Sequence, residues 1–449
     1  MFMKYIIAIS VSVLAASLQA QQPKVWSLTD CIDYATAHNI DIKMKEQNVA
    51  SKEIDQNTAK MSFLPDLNGS IGQNFDFGRS PSKTGVIVDR NSANTGVNIG
   101  TSMPLFDGMK IYNQIKASGL NLKAAMANLD KAKDDMSLLV TNSYLDALFY
   151  KELEKINMAQ VELTKQQVAK TQLLVDAGSV PISQLYDIKA QLAKDEVSLT
   201  DATNNRKLAL LSLTQLLELE KFGEDFDIRD PFLSNNLDAE LRSILPPDDI
   251  YNNAVAVKPQ IKEQEFLLES SKRRLKIAKA DYIPKLNFNA SYSNGYYHYS
   301  GIEEGDTNIS FKDQIKQNER KTIGFSLSIP IFNRFQVRNN VRNSRIDINT
   351  SQLALDNSKK TLYKEIQQAY YNAVAAQQKF DAATVAVKAS QEAFSFAQSR
   401  YDAGKSTVYE YTDAKTKLSQ SLSEQAQAKY NFVFRTKILD FYNGTPISL

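Results

Sequence analysis

The stretch "YDAGKSTVYEYTDAK" (401–415) interrupts a chain segment that otherwise has every property of a long helix. Gly404 is the only glycine in residues 331–443, and that segment contains no proline. Glycine and proline are the residues that most often break helices. The stretch has a twin 226 residues earlier, "VDAGSVPISQLYDIK" (175–189), in which Gly178 corresponds to Gly404. The pair predicts two long helices, each of which ends at an Asp-Ala-Gly turn where the chain reverses direction.

The duplication extends over the whole chain. The same shift of 226 relates Pro104 in "SMPLFD" to Pro330 in "SIPIFN". Upstream, "FLPDLN" (63–68) matches "YIPKLN" (282–287) with a shift of 219. An internal repeat of this size indicates one architecture built twice. The sequence therefore predicts two repeats with a polar linker between them, at residues 21–220, 221–247 and 248–449.

Each repeat has the same predicted order: a helix, a β-hairpin, a very long helix, a tip and a return helix. In the first repeat these elements are predicted at 27–61, 66–106, 108–176, 176–184 and 183–220. In the second repeat they are predicted at 248–281, 285–332, 334–402, 402–410 and 409–441. Apolar residues recur in the long helices every three or four positions, which is the spacing of coiled coils. A helix of about 70 residues spans roughly 100 Å, so such rods must pack side by side.

The hairpin segments alternate apolar and polar residues. Ile323, Phe325 and Leu327, for example, are separated by single small or polar residues. Each predicted strand runs for about ten residues, which crosses a bilayer when tilted. Aromatic residues crowd the hairpin ends, as expected at a membrane interface: Phe75, Phe77, Tyr296, Tyr297 and Tyr299. Alternation by itself fits a half-buried soluble sheet equally well, whereas the aromatic ends favour a membrane barrel.

Four strands cannot close a barrel, and open sheet edges are not tolerated in lipid. The smallest usual barrels have about eight strands. The sequence therefore predicts an oligomer, in which a dimer supplies eight strands and a trimer supplies twelve.

Residues 1–20 have the pattern of a signal peptide. Lys4 is followed by an apolar run, and the segment ends in small residues up to Ala20. After it no run approaches 18 apolar residues, so no membrane-spanning helix is expected. The prediction is a protein exported from the cytoplasm.

Composition argues against several functions. The net charge is +2, with 53 basic and 51 acidic side chains, whereas nucleic-acid binders usually carry a basic excess. The single cysteine, Cys31, excludes an intrachain disulfide and a cysteine-rich zinc site. His38 and His298 are far apart, and no phosphate-binding loop, dinucleotide-binding loop or nucleophile elbow is present. We therefore predict no catalytic residue, cofactor or metal, and a protein that is not an enzyme.

Two further classes of function fit the sequence less well. A structural coiled-coil protein of the periplasm has no use for four alternating strands. A hydrolase barrel of the outer membrane needs a nucleophile and a base, and no convincing pair is present.

The sequence resembles outer-membrane efflux proteins of the TolC type, over residues 25–445. The resemblance rests on the order of the elements, the two matched proline turns and the two tips. It implies a mostly α fold with β: a trimeric, twelve-stranded outer-membrane β-barrel, continued by a periplasmic α-helical barrel. It also implies an exit duct for efflux or type I secretion, surrounded by outer-membrane lipid. The implied partners are a periplasmic adaptor protein and an inner-membrane pump of the RND or ABC type.

The resemblance implies two sets of site residues. The tips would contact the adaptor, through Asp176, Ala177, Gly178, Asp402, Ala403 and Gly404. Glu410 and Asp413 would narrow the periplasmic mouth, with Gln184 and Asp187 in the matching positions of the first repeat. Three copies of such carboxylates around an axis make a ring of like charge. The alternative for these carboxylates is stabilisation of a helix N-terminus.

The chain departs from the family pattern at Ser406, where relatives often have a basic residue that holds the mouth closed.

Overall fold

A computed structural model describes residues 25–81, 85–219, 226–231, 244–300 and 307–447. The predicted signal peptide and most of the predicted linker lie outside these residues. The chain forms two compact units. Unit 1 comprises Met1–Met44, Asp130–Lys258 and Lys360–Leu449, and unit 2 comprises Lys45–Leu129 and Pro259–Lys359. Each unit takes segments from both halves of the sequence.

The helices repeat residue for residue in length, which confirms the duplicated long helix hairpins. In the first half they are α1 (Leu28–His38), α2 (Ile40–Met61), α3 (Lys110–Asp176) and α4 (Ile182–Leu216). In the second half they are α5 (Pro247–Val257), α6 (Pro259–Ala280), α8 (Gln336–Asp402) and α9 (Val408–Tyr442). The paired lengths are 11, 22, 67 and 35 residues in both halves.

The single helix predicted at 27–61 is wrong in one respect, because Asn39 divides it into α1 and α2. Asn39 has an extended backbone, with φ −60° and ψ 137°. Its Oδ1 accepts the N–H of Asp41 at 2.9 Å, and asparagine is among the best residues for starting a helix in this way. Its Nδ2 donates to the carbonyl of Leu216 at 3.2 Å, which ties the break to α4.

The helix predicted at 248–281 is likewise two helices, divided at Lys258. Pro259 follows, and the residue before a proline is pushed out of the helical region, here to φ −65° and ψ 129°. The break lies 219 residues after Asn39, the shift that also relates the matched prolines upstream. The Lys258 ammonium is buried and lies 3.3 Å from the Asp134 carboxylate. The two breaks are therefore part of the duplication, although different residues cause them.

The main sheet of unit 2 is antiparallel and has four strands in the order β2-β5-β7-β8. These are β2 (Asn68–Asp76), β5 (Asn91–Phe106), β7 (Lys285–Ser300) and β8 (Arg320–Ser328). The two predicted hairpins are joined by pairing between β5 and β7, in which Ile99 lies opposite Tyr292. The four predicted strands are confirmed as one sheet, but its two inner strands have 16 residues each, longer than predicted. The sheet is open, with β2 and β8 at its edges.

The sheet presents apolar side chains that none of the described residues covers. In β8, Ile323, Phe325 and Leu327 are 75%, 69% and 62% exposed. A row of large exposed apolar residues marks a surface that contacts a partner or a membrane. These residues are the apolar positions of the alternating pattern in β8.

The described residues also include four shorter strands and one short helix. The strands pair as β1 (Val25–Trp26) with β6 (Asp227–Ile228), and β3 (Arg79–Pro81) with β4 (Ile87–Asp89). Helix α7 (Phe311–Gln317) lies between β7 and β8, in a connection for which no helix was predicted. Its buried Gln314 accepts the N–H of Tyr297 at 2.7 Å and donates to the carbonyl of Tyr297 at 2.7 Å, so α7 is fixed against β7.

Tyr144 on α3 organises the packing of unit 1. Its side chain is 1% exposed, and its hydroxyl lies 3.1 Å from the carbonyl of Trp26 and 2.6 Å from that of Arg229. Burial raises the pKa of this hydroxyl. The contacts hold β1 and β6 against the long helix.

None of the helices in the described residues has an apolar stretch long enough to cross a membrane.

Candidate functional site

The first hairpin of unit 1 reverses through a glycine turn at the end of α3. Gly178 has φ +68°, in the left-handed region that glycine adopts at least cost. Its N–H donates to the carbonyl of Val175 at 2.9 Å, and the N–H of Ser179 donates to that of Leu174 at 2.8 Å. This pair of bonds is a Schellman motif, which satisfies carbonyls left over at the helix end.

The second hairpin repeats this turn bond for bond. Gly404 has φ +69°, its N–H donates to Tyr401 at 2.9 Å, and that of Lys405 donates to Arg400 at 2.8 Å. An added Cβ would meet no heavy atom within 4 Å at either Gly178 or Gly404. Backbone conformation, rather than lack of space, therefore explains glycine at both tips.

Glu410 takes part in capping the N-terminus of α9, immediately after the second tip. Its N–H donates to Thr407 Oγ1 at 3.2 Å, and its carboxylate accepts the N–H of Thr407 at 3.3 Å, which makes a capping box. The Ser406 hydroxyl donates to the same carboxylate, and the Arg400 guanidinium lies 3.8 Å away. The bond from Ser406 and the bond from Thr407 hold the pKa of Glu410 below its usual range.

Glu410 thus stabilises the helix start, which is the alternative considered from the sequence. Its side chain remains 51% exposed, so it is also available to groups outside the chain. The positive charge beside the Glu410 carboxylate comes from Arg400, at the end of α8, while Ser406 contributes a hydrogen bond. Sequence reasoning looked for that charge at Ser406 and missed Arg400.

The other three proposed gate residues lie on the first turns of α4 and α9. Asp413 forms an ion pair with Lys417 at 2.8 Å, one turn further along α9. The N–H of Gln184 donates to the carbonyl of Pro181 at 3.1 Å, and Asp187 is exposed. Among the described residues, no hydrogen bond or ion pair joins any two of the four proposed gate residues.

An exposed ion pair links the two hairpins beside the tips. Lys170 on α3 lies 2.7 Å from Asp402, the last residue of α8, and both side chains are nearly half exposed. The two residues are 232 positions apart in sequence, and no local pattern could have paired them. The contact shows that the tips of both hairpins lie close together in unit 1.

A second link between the hairpins is buried. The Lys415 ammonium of α9 lies 2.8 Å from the Asp195 carboxylate of α4, with side chains only 2% and 8% exposed. The Lys415 ammonium also donates to the hydroxyl of Thr164 on α3, and Gln191 donates to Asp195 at 2.8 Å. Burial is the main cause that lowers the pKa of Lys415. Three helices therefore meet at one buried polar cluster.

An aromatic cluster lies near this buried ion pair. The rings of Phe394 and Tyr401, both on α8, lie 5.6 Å and 5.0 Å from the ring of Tyr411 on α9. Leu163 of α3 packs against the same cluster. Burial raises the pKa of Tyr411 to about 12. The three helices near the tips are thus held together by apolar packing as well as by polar contacts.

The geometry described here, with two hairpins of equal length and a four-stranded sheet, matches a known family. The model of the family described as "Outer membrane efflux protein" matches residues 31–218 and 250–439. The chain belongs to the outer membrane efflux protein family. The two matched segments together cover most of the sequence, which confirms the resemblance to proteins of the TolC type.

Individual relatives show the same breadth of match. Outer membrane protein TolC of Escherichia coli (strain K12) is 22% identical over 390 residues, which is 84% of this chain and 74% of that protein. Outer membrane efflux protein BepC of Brucella suis is 20% identical and covers 96% of this chain and 88% of its own length. The crystal structure of CusC superposes with a TM-score of 0.75 at 16% identity, covering 94% and 92% of the two chains.

Membership of this family confirms the predicted outer-membrane location and efflux function, with the helical part in the periplasm. The family consists of channel proteins, so the alternative of a structural coiled-coil protein is not supported.

Proposed function

We propose that the protein is the passive exit duct of a tripartite efflux or type I secretion system, built as a homotrimer. The open four-stranded sheet with its uncovered apolar face is the observation that carries this proposal. Unpaired strand edges are not tolerated in lipid, so the sheet must be completed by other chains. Three copies supply twelve strands and six long helix hairpins. The duct performs no catalysis and needs no cofactor, because a partner supplies the energy.

The tips are proposed as the contact with a periplasmic adaptor protein. The residues concerned are Asp176, Ala177, Gly178, Asp402, Ala403 and Gly404, which form two turns of the same geometry. The Lys170–Asp402 ion pair and the buried Lys415–Asp195 pair keep the two turns side by side. A rigid pair of turns is a suitable docking element, since little conformational entropy is lost on binding. Through the adaptor the duct would meet an inner-membrane pump of the RND or ABC type.

The periplasmic gate is proposed at Glu410 and Asp413, with Gln184 and Asp187 at the matching positions of the first hairpin. Glu410 and Asp413 keep 51% and 43% of their side-chain surface exposed in the single chain. Around a three-fold axis they would form rings of negative charge that favour cations and bind divalent cations. The hydrogen bonds from Ser406 and Thr407 keep the Glu410 carboxylate ionised, which supports this role.

Two measurements test the proposal. Outer membranes solubilised in detergent should contain a trimer by mass, which becomes a monomer in denaturing gels only after heating. In planar bilayers, Glu410→Gln/Asp413→Asn should lower cation selectivity and weaken block by divalent cations. Asp381→Asn/Glu392→Gln removes two exposed carboxylates from α8 away from the tip and serves as the control.

Unchanged selectivity and unchanged divalent block in Glu410→Gln/Asp413→Asn would reject the gate. A monomer or dimer in the native preparation would reject the trimeric duct.

A further inference from the structure

Unit 2 contains a groove lined by positive charge, where α6 ends and α8 begins. It encloses about 480 Å³ and is lined by Lys279, Tyr282, Arg338, Val341, Arg342 and Arg345. Every charged side chain in this lining is a cation. The three arginines recur at positions 338, 342 and 345, a spacing that places them on one face of a helix.

The described carboxylates do not neutralise the cations of the groove. Among the described residues, none of the three arginines nor Lys279 forms an ion pair with a carboxylate. The arginines lie within the first ten residues of α8, whose first turn contains no acidic residue. Positive charge at the start of a helix is opposed by the helix dipole. Helix stability therefore gives no reason for this cluster.

A belt of exposed apolar residues lies directly before the arginines. Ile329, Ile331, Phe332 and Phe335 connect the end of β8 to α8 and are 58%, 93%, 72% and 56% exposed. The Phe332 and Phe335 rings contact each other edge to face with centroids 5.6 Å apart. The Arg338 guanidinium lies 5.6 Å from the centre of the Phe335 ring. Apolar belt and basic groove thus form one continuous surface.

We propose that this surface binds the headgroup of an anionic phospholipid in the periplasmic leaflet of the outer membrane. The sheet face with its exposed apolar residues continues into the belt, so the belt lies where the acyl chains end. Aromatic residues favour this depth, and arginine side chains extend from it towards the headgroups. Basic residues beside a membrane surface attract anionic lipid.

The arginines are suited to the phosphate itself. A guanidinium presents a planar fork of donors that binds two phosphate oxygens at once, and several such groups can share one phosphate. Tyr282, which is 51% exposed, adds an aromatic ring and a hydroxyl at the edge of the groove. In the first repeat the positions that match the three arginines hold Tyr112, Lys116 and Gly119, so only one of the three cations is repeated there. Within the part of the chain that the structure describes, the arginine cluster is therefore not repeated.

The site can be tested by native mass spectrometry of the full-length protein, extracted from mixed bilayers of phosphatidylglycerol and phosphatidylcholine. We expect phosphatidylglycerol to be retained in preference to phosphatidylcholine. Arg338→Gln/Arg342→Gln/Arg345→Gln should reduce this preference by at least about tenfold, since each basic residue near a membrane contributes about a factor of five. The control Lys359→Gln/Lys360→Gln/Lys364→Gln removes three cations further along α8 and should retain it.

A second variant separates charge loss from misfolding. Arg338→Lys/Arg342→Lys/Arg345→Lys keeps the charge and should keep most of the preference, although the bidentate geometry is lost. Equal retention of the two lipids by the native protein, or equal preference in the glutamine variant and the control, would overturn the proposal.

Three further results would also overturn it, each identifying another occupant. Displacement of the lipid by inorganic phosphate at the same concentration would indicate a site for soluble anions. Loss of oligomers in the glutamine variant, but not in the control, would indicate an interface between two copies of this chain. Altered ion selectivity in planar bilayers with unchanged lipid retention would place the groove in the pore.

Discussion

Replacing the buried Lys415 by methionine should destabilise unit 1 far more than the same replacement at an exposed lysine of the same helix. Methionine is of similar length but cannot neutralise Asp195, whose side chain is only 8% exposed. Leaving one charge of a buried pair without its partner typically costs about 3–5 kcal/mol. For a unit of about 200 residues or more, each kcal/mol lowers Tm by about 2 °C, so the expected loss is about 6–10 °C.

The same helix supplies a matched control. Lys417, two residues further on, pairs with Asp413 at the same 2.8 Å, but its side chain is 69% exposed and that of Asp413 is 43% exposed. Exposed ion pairs contribute about 0–1 kcal/mol, so Lys417→Met should lower Tm by less than about 2 °C. Thermal unfolding in detergent, followed by far-ultraviolet circular dichroism at one fixed scan rate, measures both variants.

The double variant Lys415→Met/Asp195→Asn completes the comparison. Because it removes both charges, its loss should be smaller than the sum of the two single losses. If Lys415→Met proves no more damaging than Lys417→Met, the argument from burial is refuted. The same conclusion follows if the losses of the two single variants add up to that of the double variant.

Three further predictions concern the tips and the N-terminal helix. Gly178→Ala and Gly404→Ala should each cost about 1 kcal/mol from the left-handed backbone alone, whereas Gly324→Ala in β8, with ordinary φ and open space, should cost less; Tm distinguishes them. Cys31 is 0% exposed and burial raises its pKa to about 12, so a maleimide should label it only after unfolding. Folding lowers the pKa of Glu410, so the contribution of this carboxylate to stability is present above pH 4.5 and is lost as the pH falls through the folded pKa. Tm measured against pH should show this loss in the native protein and not in Glu410→Gln.

The duplicated helices and the tips could be predicted because their information is local. Helix periodicity, the absence of glycine and proline, and the repeated turn around Gly178 and Gly404 all lie within short stretches of sequence. The ends of α3 and α8 at Asp176 and Asp402 agree with the predicted ends for the same reason. The assignment of gate and adaptor residues is not tested by the fold and stays a prediction.

Only one of the two helix breaks could be predicted from the sequence. Pro259 directly follows Lys258, and the residue before a proline is disfavoured in the helical region, so the sequence contains the signal for this break. The break at Asn39 has neither proline nor glycine beside it. It is stabilised by the bond from Asn39 to the carbonyl of Leu216, a residue 177 positions away, and no local pattern contains that information.

The polar contacts around the tips were missed for the same reason. Lys415 and Asp195 are 220 residues apart, and Lys170 and Asp402 are 232 apart. Lysine and aspartate are common on helix surfaces, and only packing of the two hairpins decides which of them become buried partners. The sequence therefore predicts where the chain turns, whereas the contacts that fix the turns against each other depend on tertiary structure.

Because the sheet has two unpaired edge strands, the assembly of this protein should depend on the concentration of newly exported chains. Strands β2 and β8 each have one neighbouring strand among the described residues, so a newly exported copy carries two rows of unpaired backbone groups. Such a copy is prone to pair with the wrong strand until its sister chains arrive. We expect the yield of inserted duct to rise more steeply than in proportion to the rate of synthesis, and scarce copies to be left to periplasmic chaperones and proteases.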